Sequence, residues 1–261
     1  MNRISQRMMR AWASLGSKYL PFADAATAEV PLERLLRLSL FQVSAGMTLV
    51  LLVGTLNRVM IVELGVPASL VSVMLAIPLI AAPFRALIGF KSDTHTSELG
   101  WKRVPYIYKG TMVQFGGLAI MPFALLVLAR QGHAADIPPI VGQLAAGVAF
   151  LLVGAGLPIT EPVGLALATD LTPEEKQPNV VGLMYVALLF GSIIAALVYG
   201  EVLADFTPGR LVQVIQGAAL ATMALNILAL WKQEPRQPSR TARNQPRPTF
   251  GQSWREFSQG Q

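Results

Sequence analysis

The 261-residue chain is 53% hydrophobic and only 14% charged, with a formal charge of +6 and a mean hydropathy of +0.50. Soluble domains carry about 25% charged residues, and apolar runs of the ~20 residues needed to cross a bilayer recur here; an ordinary soluble domain is excluded in favour of a polytopic α-helical membrane protein. The runs are continuous rather than alternating, against a transmembrane β-barrel, and the lack of cysteine excludes disulfides and thiolate chemistry.

Residues 1–20 carry Arg3, Arg7, Arg10 and Lys18, with Ile4, Met8, Trp12, Leu15 and Tyr19 on one helical face. This is the pattern of a basic amphipathic helix lying in a membrane surface, and no signal-peptide cleavage pattern follows it. Six hydrophobic segments come next, near 36–61, 69–90, 106–129, 140–168, 179–203 and 211–231. The remainder mixes Pro235, Pro238, Pro246 and Pro248 with Arg, Gln and Ser, a composition that cannot build a core. The expected organisation is an amphipathic segment over 1–30, a six-helix domain over 31–231 and a flexible tail or linker over 232–261.

Lysine and arginine set the orientation. Seventeen of the 21 fall in the amino-terminal stretch, the hinge between segments two and three, the loop at Lys176 and the tail. Six spans with both termini cytoplasmic satisfy the rule, and the net positive charge then reflects loops facing anionic lipid rather than nucleic acid.

Charge inside the membrane costs about 2.5–3.5 kcal/mol per group on insertion scales, so each instance is a functional candidate. Arg85 precedes Asp93 by eight residues, and Glu161 precedes Asp170 by nine. If the aspartates mark the membrane boundary, both charges lie ~12–14 Å inside it at matching depth. The two are expected to approach each other, as a structural ion pair or as a gate or proton-coupled switch.

Pro78 and Pro83 flank a kink in segment two, read as a packing kink. In segment four, "GAGLPITEPVG" adds glycines, Thr160 and Glu161 to Pro158 and Pro162, and is expected to line a cavity. Gln42, Ser44, Thr48, Thr55, Asn57, Gln114, Gln213, Gln216 and Asn226 read as interhelical glue. Gly191, Ser192, Ala195, Ala196 and Gly200 form a close-packing face on segment five. No enzyme motif is present: "GFKSD" and "GAGLP" fit neither a P-loop nor a dinucleotide fingerprint. His95 and His133 fall in loops on opposite sides, which leaves no buried histidine ligand and no Ser-His-Asp arrangement.

The hinge "GFKSDTHTSELGWKRVPYIYKG" places Gly89 at the end of a span, then Asp93, Gly100, Lys102 and Arg103 before the next span. This resembles the loop motif of the major facilitator superfamily, though the hinge is longer than usual. "PFADAATAEVPLERLLRLSLFQVSAGMTLVLLVGTLNRVMIVELGVP" and "PFRALIGFKSDTHTSELGWKRVPYI" resemble the PucC/LhaA, or bacteriochlorophyll-delivery, family of phototrophic bacteria. The likeness extends from about Pro21 to the tail. It implies a major-facilitator fold in the bacterial inner, intracytoplasmic photosynthetic membrane. It implies a role in assembling light-harvesting antenna complexes with antenna polypeptides or the photosynthetic core complex as partners. Delivery of bacteriochlorophyll to nascent antenna polypeptides is implied as well.

Such proteins are expected to have twelve spans, so six are expected to be an amino-terminal half, a truncated product or a half that pairs with a carboxy-terminal half or a second copy. A bacteriochlorophyll Mg²⁺ would need an oxygen ligand here, from Glu161, Asn57, Gln114, a carbonyl freed by proline, or water. Three functions follow: an antenna assembly factor, a proton-coupled secondary transporter of a tetrapyrrole or other small molecule working through Glu161, and a half-transporter that dimerises.

Overall fold

The computed structural model describes residues 25–27, 30–81, 83–95, 100–130, 134, 136–235 and 250–259. Among them every regular element is helical. Six helices are long and apolar enough to cross a membrane: α1 (Leu32–Glu63), α2 (Ala68–Asp93), α3 (Val104–Leu128), α4 (Pro139–Asp170), α5 (Glu174–Val202) and α6 (Pro208–Leu230). A short helix α7 spans Phe250–Ser258. The surface helix expected over residues 1–20, along with His133 and Pro238, Pro246 and Pro248, lies outside the described residues.

Proline accounts for the break in α2. α2 is α-helical over Ala68–Ala76 and Phe84–Asp93, with a 3-10 turn at Ile77–Ala81 between them. Pro78 and Pro83 cannot donate the hydrogen bonds a continuous helix would need there. α4 also contains two prolines, Pro158 and Pro162, yet runs unbroken for 32 residues. α1 loosens into π-helix at Val50–Leu56 and Val59–Glu63.

Glycine sets how closely the helices approach. A Cβ on Gly117 of α3 would lie 2.7 Å from Val153 N of α4, and one on Gly156 of α4 would lie 2.6 Å from Gln114 Cβ of α3. Gly46 of α1 meets the α5 backbone at Leu188 O, and Gly191 of α5 meets Val43 O of α1. Gly154 of α4 accepts Pro78 at the bend of α2, with a Cβ there only 2.3 Å from Pro78 Cβ. Contacts of this kind replace the hydrophobic drive that lipid removes.

The small-residue face of α5 is therefore split. Gly191 and Ala195 pack inward, whereas Ala196 and Gly200 are exposed. Gly89 does not serve the close approach its place in the hinge suggests, because a Cβ there would meet nothing within 4 Å. The hinge glycine with a conformational role is Gly100, whose φ of +79° L side chains rarely adopt.

The starts of α1, α3 and α5 and the ends of α2, α4 and α6 share one end of the bundle. Its apolar filling is Leu35, Leu38, Phe41, Ile107, Val163, Leu167, Val180 and Met184. The segment after α6 is not wholly irregular. In α7, Phe250 stacks on Trp254 and packs edge-on against Phe90 of α2, with ring centres 6.0 and 5.4 Å apart.

Candidate functional site

Three helices meet on the charged end through Arg103. Its side chain is only 8% exposed, and its Nη1 contacts Asp93 Oδ1 while its Nε donates to Asp170 Oδ2 at 2.9 Å. Nη1 also donates to Ser92 Oγ at 3.0 Å. Lys102 Nζ stands 3.8 Å from the same Asp93 oxygen. Arg103 thus ties the end of α2 and the end of α4 to the start of α3. A buried guanidinium is tolerated only when its donors are met in this way.

The start of α3 is capped from a distant part of the chain. Glu234, four residues past α6, accepts from the backbone N–H of Lys102 at 2.6 Å, of Arg103 at 2.9 and 3.0 Å, and of Val104 at 2.8 Å. No local side chain caps that terminus. A carboxylate there satisfies orphan donors and lies against the positive end of the helix dipole. Next to it, Gln233 accepts from Arg34 Nε at 3.1 Å and donates to Arg34 O at 3.1 Å, which fixes the end of α6 to the start of α1.

Deeper in the bundle, Arg85 Nη2 lies 3.7 Å from Glu161 Oε2. The geometry brings these two residues together across α2 and α4, the helices joined by the Pro78–Gly154 contact. The pair is uneven in burial, with side-chain exposure of 53% for Arg85 and 20% for Glu161. Beside it, Leu79, Ile80, Phe84 and Leu87 of α2 are exposed. The other polar residues of "GAGLPITEPVG" do not open a cavity. Gly156 and Thr160 pack on α3, and Gly164 sits under the ring of Phe41.

The milder polar residues form a buried ladder through α1, α3 and α6. Ser44 Oγ donates to Asn226 Oδ1 at 2.7 Å, Asn226 Nδ2 to Thr111 Oγ1 at 2.9 Å, and Gln114 Nε2 to Thr48 Oγ1 at 2.6 Å. Gln216 Nε2 adds a bond to Ala119 O at 2.8 Å. Gln42 is the exception: it is fully buried, and neither amide atom finds a partner among the described residues.

Comparison with known proteins bears on identity. Residues 55–261 match the family described as PUCC protein, well over half of the chain. The chain belongs to the PucC family. It is 60% identical over 263 aligned residues to Protein PucC of Rhodovulum sulfidophilum, covering 100% of this chain and 58% of that protein. It is 66% identical over 239 residues to Protein PucC of Rhodobacter capsulatus, covering 91% of this chain and 52% of that one. A more distant likeness, 27% over 205 residues, is to the bacteriochlorophyll synthase 44.5 kDa chain of Rhodobacter capsulatus, with 78% of this chain and 45% of that protein aligned. The chain thus spans little more than half the length of the PucC relatives it matches. No solved structure matches it.

As a multi-pass membrane protein of the PucC family, the chain can be tested for the pigment ligands its sequence suggests. Each of the three is an alternative for one axial ligand, and they lie apart. Gln114 is buried and committed to Thr48. Asn57 lies in the last turns of α1, at the end of the bundle opposite Asp93. Glu161 has a guanidinium partner. A pigment Mg²⁺ needs one further oxygen ligand; Gln114, buried and held inside the bundle, does not fit that need, and Glu161 would have to leave Arg85 to meet it.

Sequence reasoning placed Asp93, Lys102 and Arg103 in one loop but missed Ser92, Gln233 and Glu234. In the sequence Asp170 marks only the expected membrane boundary. The one available signal was Glu234 itself, one of two carboxylates, with Glu256, in a tail otherwise rich in arginine.

Proposed function

We propose that this PucC-family chain is a non-catalytic assembly factor for light-harvesting antenna complexes, docking antenna helices within the inner membrane. The carrying observation is the Arg85–Glu161 pair, which leaves its guanidinium half outside the bundle at membrane depth. Charge facing hydrocarbon is costly, so a protein surface, rather than lipid, belongs over this face. The apolar side chains around it, Leu79, Ile80, Phe84 and Leu87, suit a transmembrane helix. The relative named as a chain of bacteriochlorophyll synthase supports a pigment-linked setting. Bacteriochlorophyll is then handed over along the docked antenna helix rather than stored in a pocket of this chain.

In this reading the six helices form one half of a major-facilitator-type bundle, with the Arg103 end and both termini cytoplasmic. Affinity purification from phototrophic membranes tests it. Recovery of antenna polypeptides with a bacteriochlorin absorption band is expected, and recovery of the chain alone would refute it.

A second reading rests on length. Because the PucC relatives are almost twice as long as the region matched, the face around Arg85 and Glu161 is covered by a second half or a second copy. The pair then lines the cavity between two halves of a proton-coupled transporter. Substrate uptake into liposomes that collapses in Glu161→Gln would favour it.

A further inference from the structure

A groove of about 1120 Å³ opens between the start of α1, the start of α3 and the end of α6. It is separate from the Arg85–Glu161 face, and the docking proposal makes no use of it. Its outer part carries three cations, Arg34 and Arg37 in the first two turns of α1 and Lys232 just past α6. Its inner part, about a turn deeper into the bundle, is apolar and holds Tyr108, Ile227 and Leu230. Trp101 and Trp231 lie at the level where α3 begins and α6 ends.

The cations are not neutralised by the acids beside them. Glu234 lines the groove, but three backbone N–H groups of α3 hold its carboxylate. Arg34 is held through Nε and Nη2 by Gln233, which carries no charge. Glu33 is exposed and forms no ion pair among the described residues. Arg37 Nε is shut off from solvent and has no hydrogen-bond partner among the described residues. That N–H is closed to the groove, but Arg37 lines the groove without an ion pair among the described residues, and a phosphate oxygen there is a strong acceptor for a guanidinium.

Position decides what kind of phosphate. The groove lies where membrane spans end, with two tryptophans and a tyrosine around it, the residue types that mark the headgroup level of a bilayer. Tyr108 and Ile227 are exposed on the outside of α3 and α6, along the path an acyl chain would take. We infer that this groove binds an anionic membrane phospholipid, its phosphate between Arg37 and Lys232 and one acyl chain against Tyr108, Ile227 and Leu230.

The test is native mass spectrometry of the full chain released from nanodiscs holding equal amounts of phosphatidylglycerol and phosphatidylcholine. Wild-type protein is expected to retain phosphatidylglycerol selectively. Arg37→Gln should retain about tenfold less, the loss of one charge-assisted contact. Arg210→Gln, at the opposite end of the bundle, should retain as much as wild type. If Arg37→Gln does not fold, wild-type protein decides: phosphatidylglycerol must raise its melting temperature above that in phosphatidylcholine, and excess inorganic phosphate must not displace the lipid. Equal retention of both lipids, equal retention by wild type and Arg37→Gln, no difference in melting temperature, or displacement by inorganic phosphate would each overturn the assignment.

Discussion

Arg85 and Glu161 form an ion pair 3.7 Å long that joins α2 to α4 while leaving the arginine half uncovered. Each single reversal, Arg85→Glu or Glu161→Arg, sets two like charges together inside the membrane. The uncompensated charge costs about 2.5–3.5 kcal/mol. The folded fraction on size-exclusion chromatography should fall sharply in both variants and recover in the double reversal. A double variant as poorly folded as the singles would remove the pairing from the account.

Arg103 predicts an asymmetry. Asp93 and Asp170 are about half exposed, whereas Arg103 is buried, so removing Asp170 leaves a buried Nε–H without its acceptor while Asp93 still holds Nη1, and removing the cation leaves acids that water can reach. Asp170→Ala should therefore destabilise by about 1–3 kcal/mol, the cost of a buried donor left unmet. In an Arg103→Met background the same change should be nearly neutral. Denaturant titration of the four proteins in detergent gives the coupling, and additive effects would count against the clamp.

Glu234 acts on the start of α3 across more than a hundred residues of sequence. Glu234→Ala leaves backbone donors unmet and should cost about 1–3 kcal/mol. Glu234→Gln keeps one of the two acceptor oxygens and loses the other together with the charge at the helix end, so it should cost more than the about 0.3–1 kcal/mol of the charge alone and less than Glu234→Ala. Amide exchange at Lys102–Val104 should rise in the same order. Equal exchange in both variants would show that the cap is not what holds this terminus.

Two adjacent glycines in α3 provide a packing test. A Cβ on Gly117 would lie 2.7 Å from the α4 backbone, while one on Gly116 would meet nothing within 4 Å. Gly117→Val should separate α3 from α4 and lower the melting temperature by several degrees, since overpacking costs about 1–3 kcal/mol. Gly116→Ala should be neutral or slightly stabilising. Similar melting temperatures for the two would contradict the close approach.

The six spans were legible in the sequence because hydropathy reports the bilayer directly, and Arg85 and Glu161 were legible because depth follows from the helical rise. The glue residues Ser44, Thr48, Gln114 and Asn226 could be named as a class, but their pairing depends on helix rotation, which hydropathy does not encode. Glu234 escaped for a related reason: its role arises only when the end of α6 reaches the start of α3. The glycines of "GAGLPITEPVG" misled in the other direction. Glycine and proline signal both a broken helix over a cavity and a tight packing face, and here α3 and Phe41 fill the space.

The docking of antenna helices on the Arg85–Glu161 face is tested most directly by a photoreactive benzoylphenylalanine in place of Phe84, the exposed neighbour of Arg85. Illuminated in phototrophic membranes, it should yield a covalent adduct with an antenna polypeptide. Adducts with lipid alone, or only with a second copy of the chain, would contradict the proposal.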